Sequence, residues 1–355
     1  MKKHFFCIVL LLVFSCASSF AVEGVENGFN LWTVEFDSYD PSYGYFITKW
    51  TFDDTNNYWD AEEQLLDLPF YQEEGYEGRV YDMGMSMLEI NGEVSAVIAV
   101  SKGTGHFPSL STQFQHRKLD ENGFWAVVQD PILTTPADVS PLGLDLYAIG
   151  DEVHMVWVED NDGDGPVSNM CEVYDGVLTV NADGTLTLED NPTLVYTKKL
   201  TWGATHPGFG GVAGVTACDY DGDNDMDIAI AQIFYGDDPT SSGIFIIEQT
   251  APGVYATDLT EIHWIVVGSG SEALTCCNLD GDDNLDFLKT NEDGGNNSQI
   301  YWYEKAAGDT LEERGMVVDC TVDGEAWGIN VDHLFGIYVN EPAAVVPSGL
   351  NWEIH

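Results

Sequence analysis

Basic residues are scarce in this chain. Lysine and arginine together number 12, against 60 aspartate and glutamate residues, and the formal net charge is −48 at pH 7. Binding to nucleic acid or to anionic lipid requires cationic side chains that neutralise phosphates. The composition therefore excludes nucleic acid as a partner. Saline surroundings, where salt screens the repulsion between acids, or bound Ca²⁺ would make such a charge tolerable.

Long apolar runs, zinc-type cysteine spacing and common catalytic motifs are also missing. Beyond the N-terminal segment, no stretch approaches the roughly 18 consecutive apolar residues of a transmembrane helix. CxxC pairs are absent, and no histidine lies in a motif such as H-E-x-x-H. The scattered histidines are therefore predicted to be structural rather than catalytic bases. They are His106, His116, His154, His206, His263 and His333.

The first 21 residues have the pattern of an export signal. Two lysines precede an apolar run over residues 5–14 that is too short to span a membrane, and residues 19–21 form a small-x-small cleavage pattern. A lipoprotein anchored at Cys16 is the alternative, although Phe14 fits a lipidation box poorly. We expect a secreted or periplasmic protein, from which cleavage removes two basic residues and no acids.

Five cysteines follow this segment. Export favours disulfides, but an odd number leaves at least one thiol unpaired or paired between chains. Two of them occupy equivalent positions before two similar loops, so they are either cross-linked between neighbouring repeats or small buried hydrophobic residues. These two are Cys218 and Cys277, and the other three are Cys171, Cys276 and Cys320.

Short apolar runs separated by turn residues dominate the rest of the chain. Most are about four to eight residues long, rich in β-branched and aromatic side chains, and bounded by pairs such as Asn91-Gly92 and Asp183-Gly184. This pattern is typical of strands joined by hairpins. We therefore predict an all-β fold.

Turn-then-strand units recur along the chain at a spacing that is typical of β-propeller blades. They begin near residues 36, 89, 145, 219, 278 and 330. Six units predict a β-propeller of about six to seven four-stranded blades. It would be a single domain over residues 22–355, with the repeats clearest over 203–305. A pair of tandem β-sandwiches is the structural alternative.

Two acidic loops share one pattern, and their first residues lie 59 positions apart. Oxygen-bearing side chains occupy loop positions 1, 3, 5 and 9, and an apolar run follows at once. Ca²⁺ takes six to eight oxygen ligands from carboxylates, carbonyls and water. We therefore predict two structural Ca²⁺ sites, each with a main-chain carbonyl at position 7. The predicted ligands are Asp219, Asp221, Asp223, Asp225 and Asp227 in the first loop, and Asn278, Asp280, Asp282, Asn284 and Asp286 in the second.

Both loops resemble the D-x-D-G-D-x-x-x-D calcium motif of FG-GAP/VCBS repeats, and residues 209–214 (Phe-Gly-Gly-Val-Ala-Gly) resemble the approach to that motif. The resemblance implies an integrin-like calcium-binding propeller of the secreted bacterial type, with the side-chain ligands at positions 1, 3, 5 and 9. The chain departs from the family at position 6, where Asn224 and Asp283 replace the common glycine. Asn224 tolerates the left-handed backbone that a tight loop needs.

A third acidic stretch has the same 1-3-5 spacing at Asp160, Asp162 and Asp164. An apolar run precedes this stretch, whereas one follows each of the other two loops. We interpret it as a turn between later strands of the unit that begins at Asp145. Its three acids are weaker metal candidates, because Cys171 stands where an EF-hand loop has glutamate. An ordinary Asp/Gly-rich turn is the other interpretation.

These patterns favour a secreted, calcium-stabilised propeller that serves as a binding or adhesion module for a glycan or a protein. The alternative is a secreted polysaccharide-active enzyme, a hydrolase or lyase, on the same scaffold. Binding is preferred over catalysis because no catalytic constellation stands out. Sixty acids guarantee chance carboxylate pairs, so such pairs carry no signal for glycoside hydrolysis.

Overall fold

The computed structural model describes twenty segments of the chain, and the predicted export signal with Cys16 lies outside them. These segments are residues 30–36, 45–55, 58–66, 72–73, 76–77, 84–103, 109–135, 139–149, 152–161, 170–199, 210–234, 243–264, 269–270, 273–282, 284–293, 298–306, 310–319, 325–331, 335–337 and 345–347. Every regular element within them is a β-strand. No helix among these residues could cross a membrane.

The strands follow one another in short antiparallel meanders, as the punctuation of the sequence predicts. Their bounds are β1 Asn30–Phe36, β2 Tyr45–Asp53, β3 Tyr58–Leu66, β4 Gln72–Glu73, β5 Tyr76–Glu77, β6 Met85–Ile90, β7 Glu93–Gly103, β8 Ser109–Leu119, β9 Phe124–Val127, β10 Leu133–Thr134, β11 Val139–Ile149, β12 Glu152–Asn161, β13 Met170–Val180, β14 Leu186–Leu188, β15 Thr193–Lys199, β16 Gly210–Cys218, β17 Asp227–Phe234, β18 Gly243–Ile247, β19 Gln249–Ala251, β20 Val254–Tyr255, β21 Thr260–Trp264, β22 Ser269–Gly270, β23 Leu274–Cys277, β24 Asp286–Asp293, β25 Ser298–Ala306, β26 Thr310–Asp319, β27 Glu325–Val331, β28 Phe335–Ile337 and β29 Val345–Pro347.

Five blades form a closed β-propeller. In order, they are β27-β1-β2-β3, β6-β7-β8-β9, β11-β12-β13 with β14 and β15 on β13, β16-β17-β18-β21, and β23-β24-β25-β26. The innermost strands β27, β6, β11, β16 and β23 contact one another in that cyclic order, and β23 contacts β27 again. The ring is therefore complete with five members, and the alternative of tandem β-sandwiches is not supported.

Five separate apolar cores lie between neighbouring blades. Each core takes side chains from two blades that are adjacent in the ring, and the fifth joins the last blade to the first. In β1, Leu31 packs against the fifth blade and Trp32 against the second, because successive residues of a strand face opposite sides. Each blade is thus buried on both faces.

The predicted number of six to seven blades is wrong, and the ring closure explains the error. The first and last units in the sequence, near residues 36 and 330, belong to one blade. Strand β27 pairs antiparallel with β1, so that Asn330 lies opposite Trp32 and Glu325 opposite Phe36. Six units in the sequence therefore form five blades.

Two glycines let the inner strands approach one another closely. A Cβ atom on Gly84 would lie 2.7 Å from the backbone nitrogen of Leu144, and one on Gly214 would lie 2.8 Å from that of Leu274. Real Cβ atoms do not come so close to backbone atoms of a neighbouring strand. Glycine is therefore required where β11 passes the segment before β6 and where β23 passes β16.

A buried carboxylate connects three inner strands. Asp145 on β11 is 5% exposed. Its oxygens accept hydrogen bonds from the Ser86 hydroxyl of β6 at 3.0 Å, and from the Thr216 hydroxyl and the Ala217 amide of β16 at 2.7 and 3.1 Å. The Thr216 hydroxyl in turn accepts the Cys276 amide of β23 at 3.2 Å. This polar belt, comprising Ser86, Asp145, Thr216 and Cys276, spans four blades.

We predict that Asp145→Ala lowers the free energy of unfolding by about 3 kcal/mol, because donors on the two neighbouring inner strands β6 and β16 lose a buried acceptor. Urea unfolding followed by tryptophan fluorescence measures the change. Asp258→Ala is the matched control, since Asp258 is exposed, and it should change the free energy by less than about 0.5 kcal/mol. Equal effects of the two substitutions would contradict the structural role of the belt.

Candidate metal centres at two acidic loops

The first acidic loop joins the two innermost strands of the fourth blade, β16 and β17. The carboxylate oxygens of Asp219, Asp221 and Asp223 lie within 4.8 Å of one another. The Asp219 carboxylate accepts hydrogen bonds from the backbone amides of Gly222 at 2.8 Å and Asn224 at 3.1 Å. These bonds curl the chain around the three carboxylates. Gly222 and Asn224 have φ angles of 83° and 72°, the left-handed backbone that their residue types tolerate.

The second loop has the same place and the same turn in the fifth blade, between β23 and β24. The Asn278 side chain accepts the Gly281 amide at 2.7 Å and donates to the carbonyl of Asp282. Asp282 accepts the Asn284 amide at 2.6 Å, and Asp280 accepts the Asp282 amide at 3.2 Å. The two loops are therefore equivalent elements of neighbouring blades.

The acids at position 9 are buried beneath the loops. Asp227 and Asp286 are 1% and 0% exposed. Asp227 accepts the Tyr220 amide at 3.1 Å and the Gln249 amide at 2.8 Å. Asp286 accepts the Leu279 amide at 2.6 Å and the indole of Trp302 at 2.7 Å. Both side chains fasten the loop to its blade, and Asp227 is not in the group of three acids whose oxygens converge.

The loops concentrate unneutralised negative charge. Burial raises the pKa of Asp227 to about 6 and that of Asp286 to about 7. Burial and the neighbouring acids, Asp223 first, raise the pKa of Asp225 to about 6. A cation within either loop would favour the ionised carboxylates. The electrostatics of the loops therefore suit a bound divalent ion.

Lys305 on β25 connects the two loops. Its amide donates to the carbonyl of Leu285 in the second loop at 2.8 Å. Its ammonium group donates to the carbonyl of Tyr220 in the first loop and lies 4.0 Å from the centroid of the Tyr220 ring. The sequence does not point to this residue, because it lies on a strand that follows both loops.

The third acidic stretch lies elsewhere in its blade, as the flanking apolar run predicts. Asp160 is on β12, where its Cα is paired with that of Ser140 on β11 and that of Cys171 on β13. Asp162 and Asp164 lie outside the described residues. The stretch thus follows the second strand of the third blade, whereas the two acidic loops follow the innermost strand.

Of the two interpretations of Cys218 and Cys277, a cross-link or small buried residues, the structure agrees with the second. Cys218, Cys276 and Cys277 are buried thiols in this structure. Cys218 and Cys276 share the core between the fourth and fifth blades, whereas Cys277 packs in the core between the fifth and first. Consecutive residues of β23 face opposite sides, so a Cys218–Cys277 bond does not fit this structure.

His154 is not an isolated histidine. Its Nδ1 lies 3.1 Å from a carboxylate oxygen of the buried Asp175, and its ring stacks on Tyr147 at a centroid distance of 5.0 Å. The Tyr255 hydroxyl donates to the second oxygen of Asp175 at 3.1 Å. A carboxylate that orients a histidine is the arrangement of a general base. Strand pairing brings these residues together, which spacing alone does not show.

Lys289 and His263 form a second ionisable cluster. Lys289 is 2% exposed, and burial lowers its pKa to about 8. Its ammonium nitrogen lies 5.6 Å from the centroid of the Tyr303 ring, and the His263 ring lies 4.6 Å from the same centroid. Burial and the charge of Lys289 lower the pKa of His263 to about 4.

Comparison with known proteins identifies no family. No family model matches the chain, and no curated protein matches it. Among solved structures, an N-acetylgalactosamine deacetylase from F. plautii shares 10% identity over 72% of this chain and 75% of its own, with a TM-score of 0.49. An endo-arabinase from Bacteroides thetaiotaomicron shares 13% identity over 86% of this chain and 98% of its own, with a TM-score of 0.46. The Aleuria aurantia lectin shares 9% identity over 89% of this chain and 85% of its own, with a TM-score of 0.40.

The resemblance to FG-GAP/VCBS repeats is wrong. No family model supports the assignment, and the ring has five blades rather than the six to seven that were predicted. The D-x-D-G-D pattern forms a tight acidic turn after an inner strand. Identities and TM-scores this low assign no activity to the chain.

We predict that Lys289→Met stabilises the protein by about 2 kcal/mol at pH 7, because it removes a buried charge. The folded pKa lies below the ordinary value of 10.5, so the unfolded state binds more protons between about pH 8 and that value. The native protein consequently gains stability as pH rises through this window, and the advantage of the variant shrinks.

Urea unfolding at pH 7 and pH 10 tests this prediction. The matched control is Lys118→Met, at a lysine that is partly exposed and paired with Glu93 at 3.1 Å. An advantage of Lys289→Met that is the same at both pH values would show that burial of the charge is not its cause.

Proposed function

We propose that this chain is a secreted five-bladed propeller that binds two structural Ca²⁺ ions and acts on a neutral polysaccharide. The observation that supports calcium is the convergence of the Asp219, Asp221 and Asp223 carboxylates within 4.8 Å. Ca²⁺ lies 2.3–2.6 Å from its oxygen ligands, so two ligands of one ion lie within about 5 Å of each other. The three acids fit that limit.

The equivalent loop in the fifth blade supports the second ion. Asn278, Asp280 and Asp282 occupy the same positions, and the internal hydrogen bonds of the loop repeat those of the first. An ion would pin each turn between the two innermost strands of its blade and offset the local negative charge. Its contribution to stability would increase with the concentration of free Ca²⁺.

Calcium should raise the thermal midpoint of the protein by several degrees relative to chelator, because it binds the folded loops and not the unfolded chain. Asp221→Ala and Asp280→Ala should each reduce the gain, and the double variant should abolish it. The control is Asp183→Ala, which removes an acid from a turn that is not part of either loop. Equal midpoints with calcium and with chelator would overturn the calcium proposal.

The composition supports a neutral polysaccharide as the target. A chain with 60 acids and 12 basic residues repels nucleic acids and acidic polysaccharides, whereas neutral sugars offer hydroxyl groups without that penalty. The solved structures mentioned above include an endo-arabinase and a lectin in complex with a fucoside, so arabinan and fucosylated glycans are reasonable first probes.

His154 is the specific reason to place turnover, by hydrolysis, ahead of adhesion. Its side chain is 12% exposed and its partner Asp175 is 6% exposed, so the imidazole is held by a buried carboxylate near the surface. Oriented in this way, a histidine can remove a proton from an attacking water molecule. Adhesion is the second candidate and needs no such pair.

A panel of neutral polysaccharides, including arabinan, xylan and galactan, separates the two candidates. Turnover predicts soluble oligosaccharide products, with a rate that falls at least about 100-fold in His154→Gln. The control is His263→Gln, which alters a histidine of another cluster. Binding without any product supports adhesion, and neither binding nor product across the panel would reject the polysaccharide proposal.

A further inference from the structure

Two thiols from neighbouring blades meet in the core between the fourth and fifth blades. Cys218 ends β16 and is 3% exposed, and Cys276 on β23 is 5% exposed. The Cys276 thiol donates to the carbonyl of Ala217, the residue before Cys218, at 3.0 Å. The side chains of Cys218 and Cys276 pack in the same apolar core. The two cysteines are therefore neighbours across the boundary between β16 and β23.

Two packed inner strands position this pair. The Cys276 amide donates a hydrogen bond to the Thr216 hydroxyl at 3.2 Å, which fixes the position of β23 along β16. Gly214 allows the backbones to approach, because a Cβ atom there would meet the Leu274 nitrogen at 2.8 Å. Cys277 faces the opposite core and shares no such contact. The geometry thus selects one partner for Cys218 out of two adjacent cysteines.

We propose that Cys218 and Cys276 are joined by a disulfide that connects the fourth and fifth blades in the exported protein. The inference rests on the export predicted from residues 1–21 and is independent of calcium and of any glycan. An oxidising compartment supplies the oxidant, a disulfide carried by an oxidoreductase or by oxidised glutathione.

The reaction proceeds by thiol–disulfide exchange. One of the two cysteines loses its proton and attacks the carrier disulfide, which gives a mixed disulfide and releases one carrier thiol. The second cysteine then loses its proton and displaces the remaining carrier thiol. The protein loses two hydrogens and two electrons in total, and the carrier disulfide becomes two thiols.

The surroundings of the pair determine when the bond forms. Both side chains are buried in the packed ring, at 3% and 5% exposed. A carrier disulfide cannot reach them in the closed protein, so exchange is slow once the blades have packed. We therefore expect oxidation while the fourth and fifth blades dock, and a bond that resists reductants in the native state.

Peptide mapping of the exported protein tests the proposal. Free thiols are blocked with N-ethylmaleimide in denaturant without reductant, and the digest is searched for the Cys218–Cys276 cross-link by tandem mass spectrometry. Cys277→Ser removes the ambiguity of adjacent cysteines and should keep the cross-link, whereas Cys276→Ser should lose it. In wild type, reduction in denaturant followed by refolding should lower the thermal midpoint.

Three results would overturn the proposal. The first is labelling of both Cys218 and Cys276 in the exported wild-type protein, and the second is a cross-link through Cys277. The third is an equal loss of thermal midpoint on reduction in wild type and in Cys218→Ser. The wild-type map needs no variant to fold, and the calcium-dependent midpoint is measured separately, so failure here leaves the calcium proposal intact.

Discussion

The carboxylate of Asp145 is buried, and the neighbouring inner strands supply the hydrogen-bond donors that make its burial tolerable. A buried carboxylate without partners costs several kcal/mol, but here Ser86 on one side and Thr216 with Ala217 on the other donate to it. These hydrogen bonds fix the positions of β6, β11 and β16 along one another. Apolar burial is non-directional whereas hydrogen bonds are directional, so contacts of this kind favour one register of the ring.

The acidic loops depend on that register. Each loop begins where an inner strand ends, and its position-9 acid accepts an amide of the same loop together with a donor from elsewhere in the blade. Lys305 then joins the first loop to the second across the boundary between blades. Two loops that share a lysine in this way are held in place before any ion binds, which reduces the ordering cost of binding.

Local features of the sequence predicted the fold class, the strands and the two loops, whereas long-range pairing decided the rest. The strand after each acidic loop is where the apolar run indicates. The predicted blade count was wrong because β27 completes the blade that begins with β1. This pairing joins distant parts of the chain, so the repeat period does not reveal it. Asp145, Lys305 and the His154–Asp175 pair were missed for the same reason, since their partners come from other strands. The sequence left a cross-link and small buried residues open for Cys218 and Cys277, and the structure shows buried thiols that lie in different cores.

We propose that the five-membered ring positions two equivalent acidic loops, each of which binds one Ca²⁺ ion. Equilibrium dialysis of the purified, metal-free protein against radioactive calcium tests it most directly, because it counts bound ions independently of stability. We expect two ions per chain in wild type, one in Asp221→Ala or Asp280→Ala, and none in the double variant. Retention of no calcium by the wild-type protein, or of the same number by all four proteins, would contradict it.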